Sequence, residues 1–375
     1  MSTSAFRPTH AEVNLAALRA NLATIASLAA PARVVAVVKA DAYGHGLEAV
    51  ASALEAEGVA GFGVALAEEG LELRRLGIRA PILVLNGVYG RYHREVLEAR
   101  LVPVVYDLDQ VEAFEMAARD SCVEVHLNLA TGMSRLGVPW REVESFLNAL
   151  SRHRRCIISG LMTHLAAADS DFELTRVQIA RFQRVLAHLK AMGHRPRLIH
   201  VANTAGTLLH PHLRFNWVRV GGGLYGVVPP GWESHFLPTM RIRSEVIAIR
   251  ELRAGDTVGY DATYRCTRPS RIATVPMGYG DGLPRSLSNR GRVLIRAHRC
   301  PIVGLVSMDL VMVDVTEVPK VRVGDEVVFL GEQHHDHRRE AIGLSEIAAW
   351  AGTIPYDLLT GISRRVPRVY VNQSC

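Results

Sequence analysis

Cysteine is scarce and unpaired in this sequence. The five cysteines, at 122, 156, 266, 300 and 375, form no CxxC pair and are odd in number. That excludes a disulfide framework and a zinc ribbon, and points to a reducing compartment. No apolar run reaches the ~18 residues that span a bilayer. The opening Met-Ser-Thr-Ser-Ala-Phe-Arg-Pro-Thr-His lacks the apolar stretch of a signal peptide. These absences predict a cytoplasmic protein with no membrane partner. Charge is also thin. Lys and Arg total 43 against 37 Asp and Glu, a net +6 over 375 residues with the arginines scattered. Such an excess suits a small anion better than a nucleic acid. No repeat or low-complexity tract stands out beyond His334-His335-Asp336-His337, which reads as a solvated loop, so no metal site is expected.

What is present is an ordinary core-forming composition, 49% hydrophobic and 21% charged, which excludes disorder, collagen and coiled coil. Eight short apolar runs recur, at 34–40, 61–65, 81–86, 101–106, 123–129, 157–164, 197–203 and 216–220. Each is rich in Val, Ile or Leu and short enough for a strand buried on both faces. Amphipathic stretches at 47–57, 67–76, 91–99 and 172–192 lie between them, with Gly58, Gly77 and Gly193 placed as helix ends prefer. Strand–helix alternation implies a parallel sheet, and eight units imply a closed (β/α)8 TIM-type barrel. An open doubly wound sheet is the competing arrangement. The lack of G-x-G-x-x-G after the first strand counts against it.

After Pro229-Pro230-Gly231 the pattern changes to apolar–polar alternation, broken by turns at 253–256 and 323–326. This predicts a mostly antiparallel β domain with one helix near 343–351. The expected division is a cofactor-binding barrel over 1–235 and a β-rich domain over 236–375.

A barrel places its chemistry at the C-terminal ends of its strands. Lys39 follows an unbroken apolar run there. Burial lowers an ammonium's pKa and yields an amine suited to Schiff-base chemistry, although a lysine can also snorkel to the surface. Arg135 follows the fifth run, where its fork of donors could hold a carboxylate. The sixth run ends at Thr163-His164 and the seventh at Asn203-Thr204. The eighth carries Arg219 and then Gly221-Gly222-Gly223, whose backbone N–H groups could cradle phosphate. A lysine, an arginine, a histidine and a phosphate-type loop at separate strand ends describe a site for a phosphorylated carbonyl cofactor. Pyridoxal phosphate fits best.

Longer motifs carry a resemblance. Val-Val-Lys-Ala-Asp-Ala-Tyr-Gly-His-Gly (37–46), Thr-Gly-Met-Ser-Arg-Leu-Gly (131–137), Ala-Asn-Thr-Ala (202–205) and Val-Arg-Val-Gly-Gly-Gly-Leu-Tyr-Gly (218–226) lie in the first domain. Gly-Tyr-Asp-Ala-Thr-Tyr (259–264), Gly-Tyr-Gly-Asp-Gly (278–282), Ser-Met-Asp (307–309) and Thr-Ile-Pro-Tyr-Asp (353–357) lie in the second. In this ordered set, over essentially the whole chain, the sequence resembles the alanine racemase family of pyridoxal-phosphate enzymes. The resemblance implies a homodimer with shared active sites, serving either D-alanine formation for the cell wall or alanine catabolism. It implies that Lys39 bonds the cofactor and is one catalytic base. The opposite base is Tyr264 of the partner subunit, with His164 behind it. Arg219 would meet the cofactor's ring nitrogen. Tyr43, Asn203, Thr204, Gly221, Gly222 and Tyr356 would hold the rest of the cofactor, mainly its phosphate. Arg135 and the Met308 backbone would hold the substrate carboxylate.

One position departs from the family pattern. Many members carry a carbamylated lysine where this chain has Asn128, and Ala130 brings no replacement carboxylate. The expectation is that Arg135 is a partly buried cation short of a partner, and that chloride bound near Asn128 compensates. The same departure keeps open a racemase of broader specificity. A non-catalytic pyridoxal-phosphate-binding protein is a further alternative. The roughly 140 residues after the barrel (375 − 235) argue for the enzyme. A related decarboxylase would place an acid where Arg219 stands.

Overall fold

The computed structural model describes residues 7–372. The chain divides into two compact units, one of residues 18–42 and 47–237, the other of residues up to 17, 43–46 and 238 onward.

The first unit is the expected barrel. Its strands run Arg33–Val37, Gly61–Val64, Ile82–Val84, Val102–Val105, Val123–Ala130, Cys156–Thr163, Leu198–His200 and Trp217–Val220. All pair in parallel in chain order. Trp217–Val220 returns to Arg33–Val37, and Val104 pairs with His126, so no sheet edge is left in the ring. Gly61–Val64 and Ile82–Val84 are buried throughout, which accounts for their unbroken apolar composition, and Trp217–Val220 is equally buried although it carries Arg219. Helices cover the outside with one apolar stripe each. In Leu47–Ala56 the buried positions are Leu47, Val50, Ala51, Ala53 and Leu54, at helical spacing. The longest helix, Phe172–Ala191, starts on an Asp171 carboxylate that accepts the Leu174 N–H at 2.9 Å.

The second unit is mainly antiparallel. Its larger sheet runs His298–Pro301, Arg292–Ile295, Glu326–His335, Met240–Glu245, His10–Asn14 and Arg368–Val371, with Arg338–Ile342 paired on Glu326–His335. A second sheet holds Ala248–Leu252, Ser270–Val275 and Val311–Asp314. Two details differ from the sequence reading. Strand His10–Asn14, assigned there to the barrel, pairs with Met240–Glu245 and Arg368–Val371 of the second unit. A second helix, Pro355–Gly361, follows the expected one at Leu344–Ala351. The 334–337 cluster is the tip of the hairpin between Glu326–His335 and Arg338–Ile342.

Candidate active site

The first strand stops at Val37, earlier than its apolar run implied. Val38 is fully buried and Lys39 half-buried. The next four residues wind the wrong way for L-amino acids. Ala40, Asp41, Ala42 and Tyr43 have φ of 52°, 54°, 53° and 54°, a left-handed turn. Each such residue costs roughly 1–2 kcal/mol, so the surroundings must hold the turn. Ala42 N–H donates to Val38 O at 2.9 Å. Asp41 accepts the Leu47 N–H at 2.7 Å, and Glu69 accepts the Ala40 N–H at 2.7 Å. Burial, then the nearby Arg135 charge, lowers the Lys39 pKa, while Glu69 opposes the shift. More of the amine is therefore neutral and nucleophilic at ordinary pH.

Arg219 is 3% exposed and has no carboxylate partner among the described residues. Carbonyls take its hydrogens: His200 O at 2.6 Å, Thr163 O at 2.8 Å and Val201 O at 3.2 Å. It also donates to Nδ1 of His200 at 3.0 Å and Nδ1 of His164 at 3.3 Å. Burial pulls it down to about 10, which leaves it a cation at neutral pH. His164 is pulled down to about 3 by burial and by the charges of Arg219, Arg135 and Lys39. The structure thus brings Lys39, Arg135, His164 and Arg219 within electrostatic reach of one another. The two guanidinium charges in that group, Arg135 and Arg219, invite an anionic ligand.

Arg135 corrects one expectation. It is exposed in this chain, in a turn where Ser134 has φ of 54°, so it is not a partly buried cation. Gly137 closes the turn at φ 121°, where a Cβ would lie 2.5 Å from Ala130 N. Asn128 is buried, and its Oδ1 has no hydrogen-bond partner among the described residues. Asn203 caps the helix Thr204–Leu209 by accepting the Gly206 N–H at 2.9 Å. Thr204 Oγ1 accepts the Gly223 N–H at 3.2 Å, which ties the seventh strand end to the glycine run. The N–H groups of Gly221 and Gly222 open a short 3-10 turn, so no intrahelical acceptor serves them.

Two site-supporting residues escaped the sequence reading. Gln178, fully buried, donates to Thr131 Oγ1 at 3.2 Å and His164 O at 3.0 Å and accepts the Ala166 N–H at 2.9 Å. It staples the ends of the fifth and sixth strands. The other is Glu69. A buried polar residue on the apolar face of 172–192 was the available signal for Gln178; Glu69 sat in a helix's first turn, where acids are common.

The second unit holds the remaining candidates. Tyr43 and Tyr356 meet edge to face, ring centroids 5.9 Å apart, and burial with Tyr356 raises the Tyr43 pKa. Tyr264 lies in a two-residue ladder with Val258 and packs beside Val258, Cys266, Ile272 and Val303. Burial, then the Asp314 carboxylate, raises its pKa. Met308 is 52% exposed, and its carbonyl accepts the Gly280 N–H at 2.9 Å. Its loop is pinned by Asp281, fully buried, which pairs with Arg7 at 2.8 Å and Arg365 at 3.3 Å. Arg365 reaches on to Asp309 at 2.6 Å.

A parallel barrel with a depressed lysine amine among the ends of its strands is that of an enzyme working on carbonyl or amine groups. Family models narrow the class. Residues 13–229 match the alanine racemase N-terminal domain, and residues 239–370 the alanine racemase C-terminal domain. The alanine racemase of Sorangium cellulosum is 48% identical over 97% of this chain and 99% of its own. That of Symbiobacterium thermophilum is 43% identical over 99% of both. Among solved structures, the Bacillus anthracis alanine racemase with bound L-Ala-P aligns with a TM-score of 0.90, at 34% identity, over 99% of this chain and 96% of that one. The Bartonella henselae alanine racemase with covalently bound pyridoxal phosphate aligns at 0.89, with 32% identity, over 97% and 99%. The chain belongs to the alanine racemase family, and with it to the isomerases. Among the described residues, no helix is long and apolar enough to cross a membrane.

Proposed function

We propose that the chain interconverts L- and D-alanine using pyridoxal phosphate bonded to Lys39, with Lys39 and Tyr264 of the partner subunit as the two bases. The observation that carries this reading is the pairing of a depressed amine at Lys39 with a buried, carboxylate-free Arg219 in the same strand-end cluster. The residues present fit the cofactor. Arg219 Nε makes no hydrogen bond among the described residues and can donate to a ring nitrogen. A guanidinium keeps its proton, so that nitrogen would stay unprotonated. Thr204 and the N–H groups of Gly221 and Gly222 suit a phosphate, and the proposal gives Tyr43 and Tyr356 a share in holding it. The Asn203 carbonyl is committed to its helix, which leaves its amide nitrogen to the cofactor. When bound, pyridoxal phosphate supplies the conjugated acceptor that stabilises charge at the substrate Cα.

The chain's own residues do the rest. The neutral Lys39 amine takes or returns the Cα proton on one face, and Tyr264 of the partner subunit does so on the other. Arg135 and the Met308 backbone N–H bind the carboxylate. Because Arg219 donates to Nδ1 of His164, the Nε2 of His164 carries the hydrogen and can donate to a phenolate oxygen. Within its own chain Tyr264 is disfavoured as a phenolate by burial and then by Asp314. Support from His164 and Arg219 of another subunit is what a working base needs, which favours a homodimer with shared sites.

Chloride near Asn128 remains part of the proposal. The Asn128 Oδ1 has no hydrogen-bond partner among the described residues, so no bond there stops the amide from turning its donors to an anion, and Arg135 has no ion pair among the described residues. The exposure of Arg135 weakens the desolvation argument for it. Purified protein should absorb near about 420 nm, as a lysine-bound pyridoxal does, and racemise L-alanine. Protein that shows the absorbance and leaves L-alanine unchanged would make it a binding protein instead.

A further inference from the structure

Glu69 has a carboxylate more heavily used than helix capping requires. It occupies the third position of helix Ala67–Arg75, where an acid ordinarily accepts the N-cap N–H with one oxygen. Here Oε2 accepts both the Leu66 N–H at 3.1 Å and the Ala65 N–H at 2.8 Å. That leaves Oε1, which accepts the Ala40 N–H at 2.7 Å from a segment 29 residues earlier. Ala40 is the first of the four left-handed residues and directly follows Lys39. A hydrogen bond donated to an ionised acceptor is about twice as strong as a neutral one, and this one falls where the backbone is least able to hold itself.

We propose that Glu69 is a positioning residue for Lys39: its carboxylate anchors the left-handed turn through the Ala40 N–H and sets a negative charge beside the amine. The inference rests on the reading of Lys39 as the reacting amine. It gives the second strand end of the barrel a part in aiming the first. Glu69 also counters the Arg135 charge on the amine, consistent with the opposing directions of the two influences on Lys39. Without Glu69, Lys39 would face Arg135 alone and would lose its backbone anchor.

Glu69→Gln keeps the size and removes the charge. Site-resolved hydrogen exchange on the apoenzyme should show the Ala40 amide exchanging at least about tenfold faster in the variant, while the Gln110 amide, held by Asp107, is unchanged. The pH at which Lys39 becomes half-reactive to an acylating reagent should fall in the variant. In the holoenzyme kcat should fall about tenfold or more with KM for alanine little changed, the pattern of a misplaced reacting group. A role in capping alone would lower the melting temperature and leave the Ala40 exchange and the Lys39 titration where they were; that result overturns the proposal. Should the variant fail to fold, wild-type apoenzyme decides: an unprotected Ala40 amide overturns the proposal and a protected one sustains it. Borohydride mapping of wild type separates the two layers. A label away from Lys39 removes the reading of Lys39, while Ala40 exchange still reports on the anchor.

Discussion

Arg219 donates to Nδ1 of His200 at 3.0 Å, and because a guanidinium has no acceptor, that nitrogen is the unprotonated one. His200 Nε2 then carries the hydrogen and donates it to Nδ1 of His126 at 2.8 Å. One fixed cation thereby sets the tautomers of two buried imidazoles. Burial and the Arg219 charge hold both neutral, His126 down to about 4 and His200 well below its usual range. The pair fits because residue 160 is glycine; a Cβ there would stand 2.4 Å from the His126 ring.

Neutral buried histidines tie stability to pH. The unfolded chain protonates these rings near their ordinary 6.5, whereas folded His126 waits until about 4 and His164 until about 3. Below about pH 6.5 the unfolded state binds more protons, so stability should fall as pH drops, by up to about 1.4 kcal/mol per pH unit per histidine. The denaturant midpoint should be lower at about pH 5 than at about pH 7, and His126→Gln should flatten the slope. A wild-type midpoint that does not move over that range would mean the rings are not held neutral.

The lysine assignment has a chemical test. Lys39→Ala should abolish cofactor absorbance. In wild type, borohydride reduction followed by peptide mapping should place the label on Lys39. The sequence offers Lys190 and Lys320 as competitors, and a label on either refutes the assignment.

Two opposed bases predict an asymmetry. In Tyr264→Ala, exchange of the α-hydrogen of L-alanine with heavy water should drop by orders of magnitude more than that of D-alanine. Equal losses would sink the two-base account. Mixing inactive Lys39→Ala and Tyr264→Ala chains should restore part of the activity if Tyr264 serves the neighbouring site, and no recovery would count against sharing.

Replacing chloride with a bulky anion at constant ionic strength should lower activity several-fold if Asn128 helps hold a halide. A high-resolution density map should then show a peak heavier than water in contact with the Asn128 amide. Indifference to chloride, together with only water at that place, would end the idea.

Much of the barrel was legible because parallel strands buried on both faces must be almost wholly apolar, as 61–65 and 81–86 are. The polar residues that interrupt this pattern at the strand ends, Lys39, Arg135, His164 and Arg219, stood out for the same reason. His10–Asn14 was not legible. Its inward Ala11 and Val13 give a weak alternation, and nothing local says which sheet it joins, since strand pairing is decided by partners far along the chain.

By itself, then, the sequence determined which segments could be buried and which side chains were chemically out of place in them. Hydrophobic patterning and residue type are local properties. The tertiary structure alone decided that Lys39 opens a left-handed turn, that Glu69 and Gln178 spend their polar atoms across strand ends, that Arg135 stands in solvent, and that Arg219 dictates the state of His200 and His126. Each of these depends on which distant atom fills a hydrogen-bonding or packing site, and a buried polar group's energy is set by that partner rather than by its neighbours in sequence.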